Sequence, residues 1–491
     1  MTNPLLKNSE LKDYAVPFDR IKTEHFLPAI EQALQEARQN FALFKDSTAD
    51  ADFSNTIEAL EFLDERLSSI AGIYSNLESA HASEEHRALA EKIYPLLTAW
   101  GSDVSLDEKL FSKVKYVYDH QNQWPLNQEQ KKLLEKTYLS FVRNGALLSA
   151  EDKNKLRQID QDLSVLGPKF SENVLKATNA FELWIDKKED LAGLPEGVIE
   201  AAALSAKQKN QPNKWLFTLQ APSYIPFLTY AKNRDLREKL WRANSSKAYS
   251  GDFDNHSNIE KIIQLRHQRA LLLGFKNHAD FVLQERMAQS STTVMDFLQK
   301  ILVASKPAGL KDYQELKTFA AQMDGLQDLQ AWDATYYAEK LREQKFSFSE
   351  EDLRPYFKLE NVIEGVFLHA KKLYGLVFKE NSTLPVYHPE VKAYEIFDES
   401  SGRYMGLFYT DFFPRETKKG GAWMTEFRSQ GLKSTAENKK ELLRPHVSIV
   451  CNFTKPTDSK PSLLNYDEVR TLFHEFGHAL HSILSECTNS S

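Results

Sequence analysis

Near the end of the chain, within YDEVRTLFHEFGHALH at residues 466–481, two histidines stand four apart and a glutamate directly follows the first. They are His474 and His478, with Glu475 between them. On a helix, residues four apart are rotated by roughly 40° and offset by about 6 Å along the axis, so two imidazoles can converge on one ion from the same face. Glu475, one position on, points to the side, where it does not join the ion but can reach a water beside it and take its proton. Zinc suits this set: with an open coordination position it acidifies the water and polarises a peptide carbonyl, which together with a base amounts to peptide hydrolysis. With 13 histidines in 491 residues, the pattern arises by chance about 0.03 times in a chain of this length. His481 returns to nearly the same face seven residues after His474. Three ligands from two turns of one helix would strain a tetrahedral shell, so it reads as a polar neighbour of the site.

For this chemistry the pair must lie on a helix, and its flanks supply one. Asn465 offers a side-chain acceptor at the start, Glu468 stands three residues on, and Val469, Leu472, Phe473, Phe476, Leu480, Ile483 and Leu484 follow at 3.6 spacing. Upstream, after about residue 383, the segments 391–397, 404–409 and 447–453 are short, rich in aromatic and β-branched residues and bounded by Gly, Pro or Asp, as strands are. A small β-sheet is therefore expected next to the HExxH helix. From about residue 20 to 300 the apolar residues recur at helical spacing. Phe26, Leu27, Ile30, Leu34, Ala37 and Phe41 trace one stripe, and Leu236, Leu240 and Ala243 begin another. Trp124-Pro125, Gly167-Pro168, Leu194-Pro195 and the polar stretch 207–214 read as inter-helix loops, the last as a domain boundary. The fold class is mainly α, with 1–210 an N-terminal helical region and 211–491 the N-terminal part of a catalytic region.

Composition narrows the function classes. Lys+Arg 62 against Asp+Glu 69 leaves a net charge of −7 with no long block of either sign, so no nucleic-acid or membrane-surface footprint is present. No run approaches bilayer-spanning length, and the start has no basic-then-apolar leader, which points to a cytoplasmic protein. Two cysteines, Cys451 and Cys487, are too few for a disulfide framework and read as small packing residues.

The run 466–481, with FYTDFFPRETKKGGAWM and VSIVCNFTKP upstream, resembles the thimet oligopeptidase family of zinc peptidases. YYAEKLREQKFSFSEEDLRPYFKLENVIEGVF, LPVYHPEVKAYEIFD and RHQRALLLGFKNHADF are similar to family segments in the same order. The resemblance implies a monomeric, mainly α, two-lobed ellipsoid with a deep substrate channel that admits short unstructured peptides. His474 and His478 would bind one zinc ion and Glu475 would be the general base. The strand around Gly420, Gly421, Ala422 and Trp423 would pair with the substrate backbone. Both removal of dipeptides from C-termini and internal cleavage fit the resemblance. Family members take their third zinc ligand from a Glu on a later helix, and that region is not in this sequence. The chain is therefore expected to be an incomplete N-terminal portion, with the third ligand beyond Ser491 and little activity alone.

Two other readings compete. A helical protein could keep the motif as a vestige and grip peptides without cutting them. A structural metal site would predict a closed four-ligand shell, usually with Cys, and Cys487 is the sole nearby thiol.

Overall fold

The stripe that starts at Phe26 forms the helix Thr23–Asp46, which buries Phe26, Ala29, Ile30, Ala33, Leu34, Ala37 and Phe41. These residues pack with Tyr74, Leu110, Val114 and Leu134 of later helices into one apolar core. Leu384 and, from the distant sheet, Leu407, Tyr409 and Phe427 belong to the same core, so shared burial joins the N-terminal helices to the sheet. The computed structural model describes residues 3–434 and 440–489. Its architecture is mainly α with a small mixed sheet.

One expected loop is instead continuous helix. Gly167-Pro168 lies inside the helix Ala150–Ala180. Proline there removes one backbone donor and crowds the carbonyl four residues back, at a cost of about 3 kcal/mol. The helix persists because it packs along the helices Ala90–Ser105 and His256–Leu272, and tertiary burial outweighs the local penalty. Further on, β1 (Leu183–Ile185) and β2 (Trp215–Phe217) form an antiparallel pair over a separate core that includes Phe217, Phe227 and Leu240. The polar stretch 207–214 ends the helix Glu196–Gln208 and turns into β2.

The sheet that matters for the site comes from the second half. β3 (Leu376–Glu380), β4 (Lys392–Asp398), β5 (Tyr404–Asp411) and β6 (Trp423–Arg428) precede the hairpin of β7 (Gly431–Ser434) and β8 (Lys440–Leu443), and β9 (His446–Val450) returns to the sheet. The order is β3-β4-β5-β9-β6, with β5 and β9 parallel and the other neighbours antiparallel. Leu407 and Tyr409 face the N-terminal core while Phe408 faces the other way, with Val447 and Ile449 of β9, so β5 is covered on both sides. The segment expected as strand over 447–453 leaves the sheet at Val450. Beyond it, the N–H groups of Cys451 and Phe453 donate to the carbonyls of Asp411 and Phe412, which draws the chain off the ladder. Cys451 is buried as expected, but Cys487, which follows the end of the last helix, is exposed.

Candidate active site

The start of the site helix is chemically defined. Glu468 N–H donates to the Asn465 side chain at 2.8 Å, and Asn465 N–H donates back to Glu468 Oε2 at 2.8 Å, a complete capping box. The helix runs Tyr466–Ile483 and buries Leu472, Glu475, Phe476, Ala479, Ser482 and Ile483. It packs across β6 and β9 and against the helix Leu359–Tyr374. Phe476 meets the rings of Phe367, Phe378 and Phe408, which fixes the rotation of the helix about its axis.

That rotation turns His474 and His478 outward. Both are exposed, and their ring centroids are 5.0 Å apart with the planes at 83°. Glu475 takes the opposite course and is only 8% exposed. It lies on the side of the helix that faces Cys451, whose thiol is pushed up mainly by burial and further by the charge of Glu475. His481 is exposed one turn further on. Two imidazoles on one exposed face suit two positions of a zinc shell. Among the described residues no group of three or more His, Cys, Asp and Glu side chains gathers in a metal-holding arrangement.

The segment 420–423 lies at the entry to β6, the outermost strand beside β9. Gly421 adopts φ +100°, and a Cβ there would meet nothing within 4 Å, so this backbone is bare and needs glycine. Asn452 Nδ2 donates to the Gly421 carbonyl at 2.7 Å from the β9 side. The Glu426 carbonyl, by contrast, accepts from Asn76 Nδ2 at 2.8 Å on the outer side. Strand alternation then turns the N–H and C=O of Met424 and Ala422 to that same outer edge. Met424 was not among the sequence candidates, because strand phase depends on pairing with β9 rather than on local composition. Asp411, Arg415, Lys418 and Asn452 were also missed as individuals. Of these, Asp411 alone carried a sequence signal, a charge at the end of an apolar strand-like segment.

The site thus sets an exposed histidine pair on a helix laid across a mixed sheet with a partly bare outer strand. The model of Peptidase family M3 matches residues 227–491. Oligopeptidase A of Escherichia coli is 37% identical over 490 residues, covering 99% of this chain and 71% of that protein. Dipeptidyl carboxypeptidase of Salmonella typhimurium is 36% identical over 486 residues, covering 99% of this chain and 70% of that protein. Among solved structures, PZ peptidase A aligns with TM-score 0.45 and 14% identity over 95% of this chain and 64% of that one. The chain belongs to Peptidase family M3.

Proposed function

We propose that this protein hydrolyses peptide bonds in short, extended peptides, with His474 and His478 as ligands of one zinc ion and Glu475 as general base. The observation that carries the reading is the 5.0 Å contact of two exposed imidazoles above a buried carboxylate on one helix. Zinc, when bound, would supply Lewis-acid polarisation of the peptide carbonyl and a more acidic water. The chain's own residues do the rest. Glu475 would accept a proton from the attacking water at its carboxylate. Ala422 and Met424 offer N–H and C=O groups to a substrate backbone, which only an unfolded segment can match.

The relatives' names, one an oligopeptidase and one a dipeptidyl carboxypeptidase, support peptides as substrates. A cytoplasmic enzyme fits the two unpaired cysteines, and we expect it to act as a monomer. No described helix is long and apolar enough to cross a membrane. The test is cleavage of an internally quenched nine-residue peptide by the full-length protein, with zinc and after chelation, in free-acid and C-terminally amidated forms. Zinc-dependent cleavage is expected, and the amide comparison separates dipeptide release from internal cutting. Peptide binding without cleavage under zinc would favour the vestigial-motif reading instead.

A further inference from the structure

The turn from β5 to β6 is built around charges held largely out of solvent. Asp411, the last residue of β5, is fully buried, as is Lys418. The Asp411 carboxylate accepts from Arg415 Nη1 at 2.8 Å and Nη2 at 2.5 Å, from Lys418 Nζ at 2.9 Å and from Tyr387 Oη at 2.8 Å. Burial alone would raise its pKa, but Arg415 and Lys418 together hold it below the ordinary range. Two cations thus share one anion. The surplus is taken up by backbone, since Lys418 Nζ also donates to the carbonyls of Asp411 and Phe413, each at 2.9 Å. The loop therefore closes around its own ammonium group.

The same loop is tied at both sides. Arg415 Nη2 donates to the Ala80 carbonyl at 2.6 Å, Ala82 N–H donates to Thr417 O, and Lys419 N–H donates to Ser79 O. These bonds seat it on the end of the helix Glu65–Ala80. From β9, Asn452 Nδ2 reaches the carbonyls of Lys419 and Gly421. Exposed Gly420 lies between these ties, and exposed Gly421, held at its carbonyl by Asn452, leads into Ala422.

We propose that the buried cluster of Asp411, Arg415 and Lys418 is a positioning device that sets the peptide-binding edge at Gly421 to Met424. This rests on the reading that the edge pairs with substrate. Replacing a buried ion cluster with apolar residues is often neutral for stability, so stability alone gives little reason to bury two cations here. Its effect is geometric. Each hydrogen bond fixes one atom of a loop whose exposed end contains two glycines and has little conformational restraint of its own. None of the three side chains touches the substrate.

The experiment compares a nine-residue peptide with analogues N-methylated singly at each backbone position away from the scissile bond. N-methylation removes one donor, and a lost edge hydrogen bond lowers kcat/KM by about 3- to 10-fold. The full-length zinc enzyme should show that penalty at one or two positions. In Lys418→Met, assayed well below its lowered thermal midpoint and with unchanged zinc content, kcat/KM for the parent peptide should fall and the N-methyl penalty should shrink towards onefold. A merely structural loss would lower all peptides alike and leave the penalty intact, which would overturn the proposal. Should Lys418→Met not fold, Arg415→Lys decides by the same ratio, because it keeps the charge and loses the fork that reaches Ala80. Absence of any N-methyl penalty in the wild-type enzyme would instead remove the edge-pairing reading itself, and the proposal with it.

Discussion

The carboxylate of Glu468 lies 2.6 Å from the backbone nitrogen of Thr454 and 2.9 Å from its hydroxyl, so the first turn of the site helix is joined to the chain leaving β9. Burial pushes this carboxyl above its ordinary range, against the donors of Asn465 and Thr454 and the nearby charge of Arg354. Glu468→Ala should remove the reciprocal half of the capping box and strand the N–H groups of Asn465 and Thr454, lowering stability by about 2–3 kcal/mol. Glu468→Gln keeps an acceptor and should lose less. Thermal unfolding followed by circular dichroism ranks the two, and equal midpoints would contradict the joint.

Glu475→Gln spares both imidazoles and removes only the proton acceptor. Bound zinc should be retained, while peptide hydrolysis falls by about 10²- to 10⁴-fold. His474→Ala and His478→Ala should each lose the metal itself, because one imidazole remains on the helix face. Metal analysis on the three variants is decisive, and full zinc occupancy in either alanine variant would exclude that histidine as a ligand.

Acid should destabilise the docking of the N-terminal segment. His446 is 1% exposed and its Nε2 lies 3.0 Å from Asp13 Oδ2. Burial pushes its pKa from 6.5 down to about 4, opposed by the Asp13 hydrogen bond. Between those values the unfolded chain binds a proton that the folded chain does not, so stability falls as pH falls through this window. The full loss is on the order of 3 kcal/mol. Asp13, held low by His446 and Arg428 against burial, acts in the same direction at lower pH. Denaturant midpoints at pH 7 and pH 4.5 should differ clearly in the wild type and less in His446→Gln; identical pH dependence in both would refute the assignment.

The two neighbouring glycines should respond differently to alanine. Gly421 sits at φ +100° with open space around a Cβ, so Gly421→Ala meets backbone strain of about 1–2 kcal/mol and no clash. Gly420 also has open space but no left-handed backbone, so Gly420→Ala should be nearly neutral. Peptide cleavage should follow the same order. A larger effect at Gly420 would mean that space, rather than conformation, limits this turn.

What the amino-acid sequence determined alone was local. The capping pair Asn465 and Glu468, the 3.6 spacing to Leu484 and the i, i+4 histidines need only helix geometry, and the strands near 391–397 and 404–409 follow from composition and bounding turns. Tertiary structure decided whatever depends on distant partners. Pro168 stays helical inside a 31-residue helix that packs along two other helices. Glu475 is buried because Phe476 sets the rotation of its helix against Phe367, Phe378 and Phe408. Ala422 and Met424 face outward because β6 pairs with β9 on the other side. Asp411 and Lys418 can be charged inside the protein because Tyr387, Arg415 and loop carbonyls meet there. Burial of a charge is set by the sum of its partners, and partners from separate segments become neighbours only when the chain has folded.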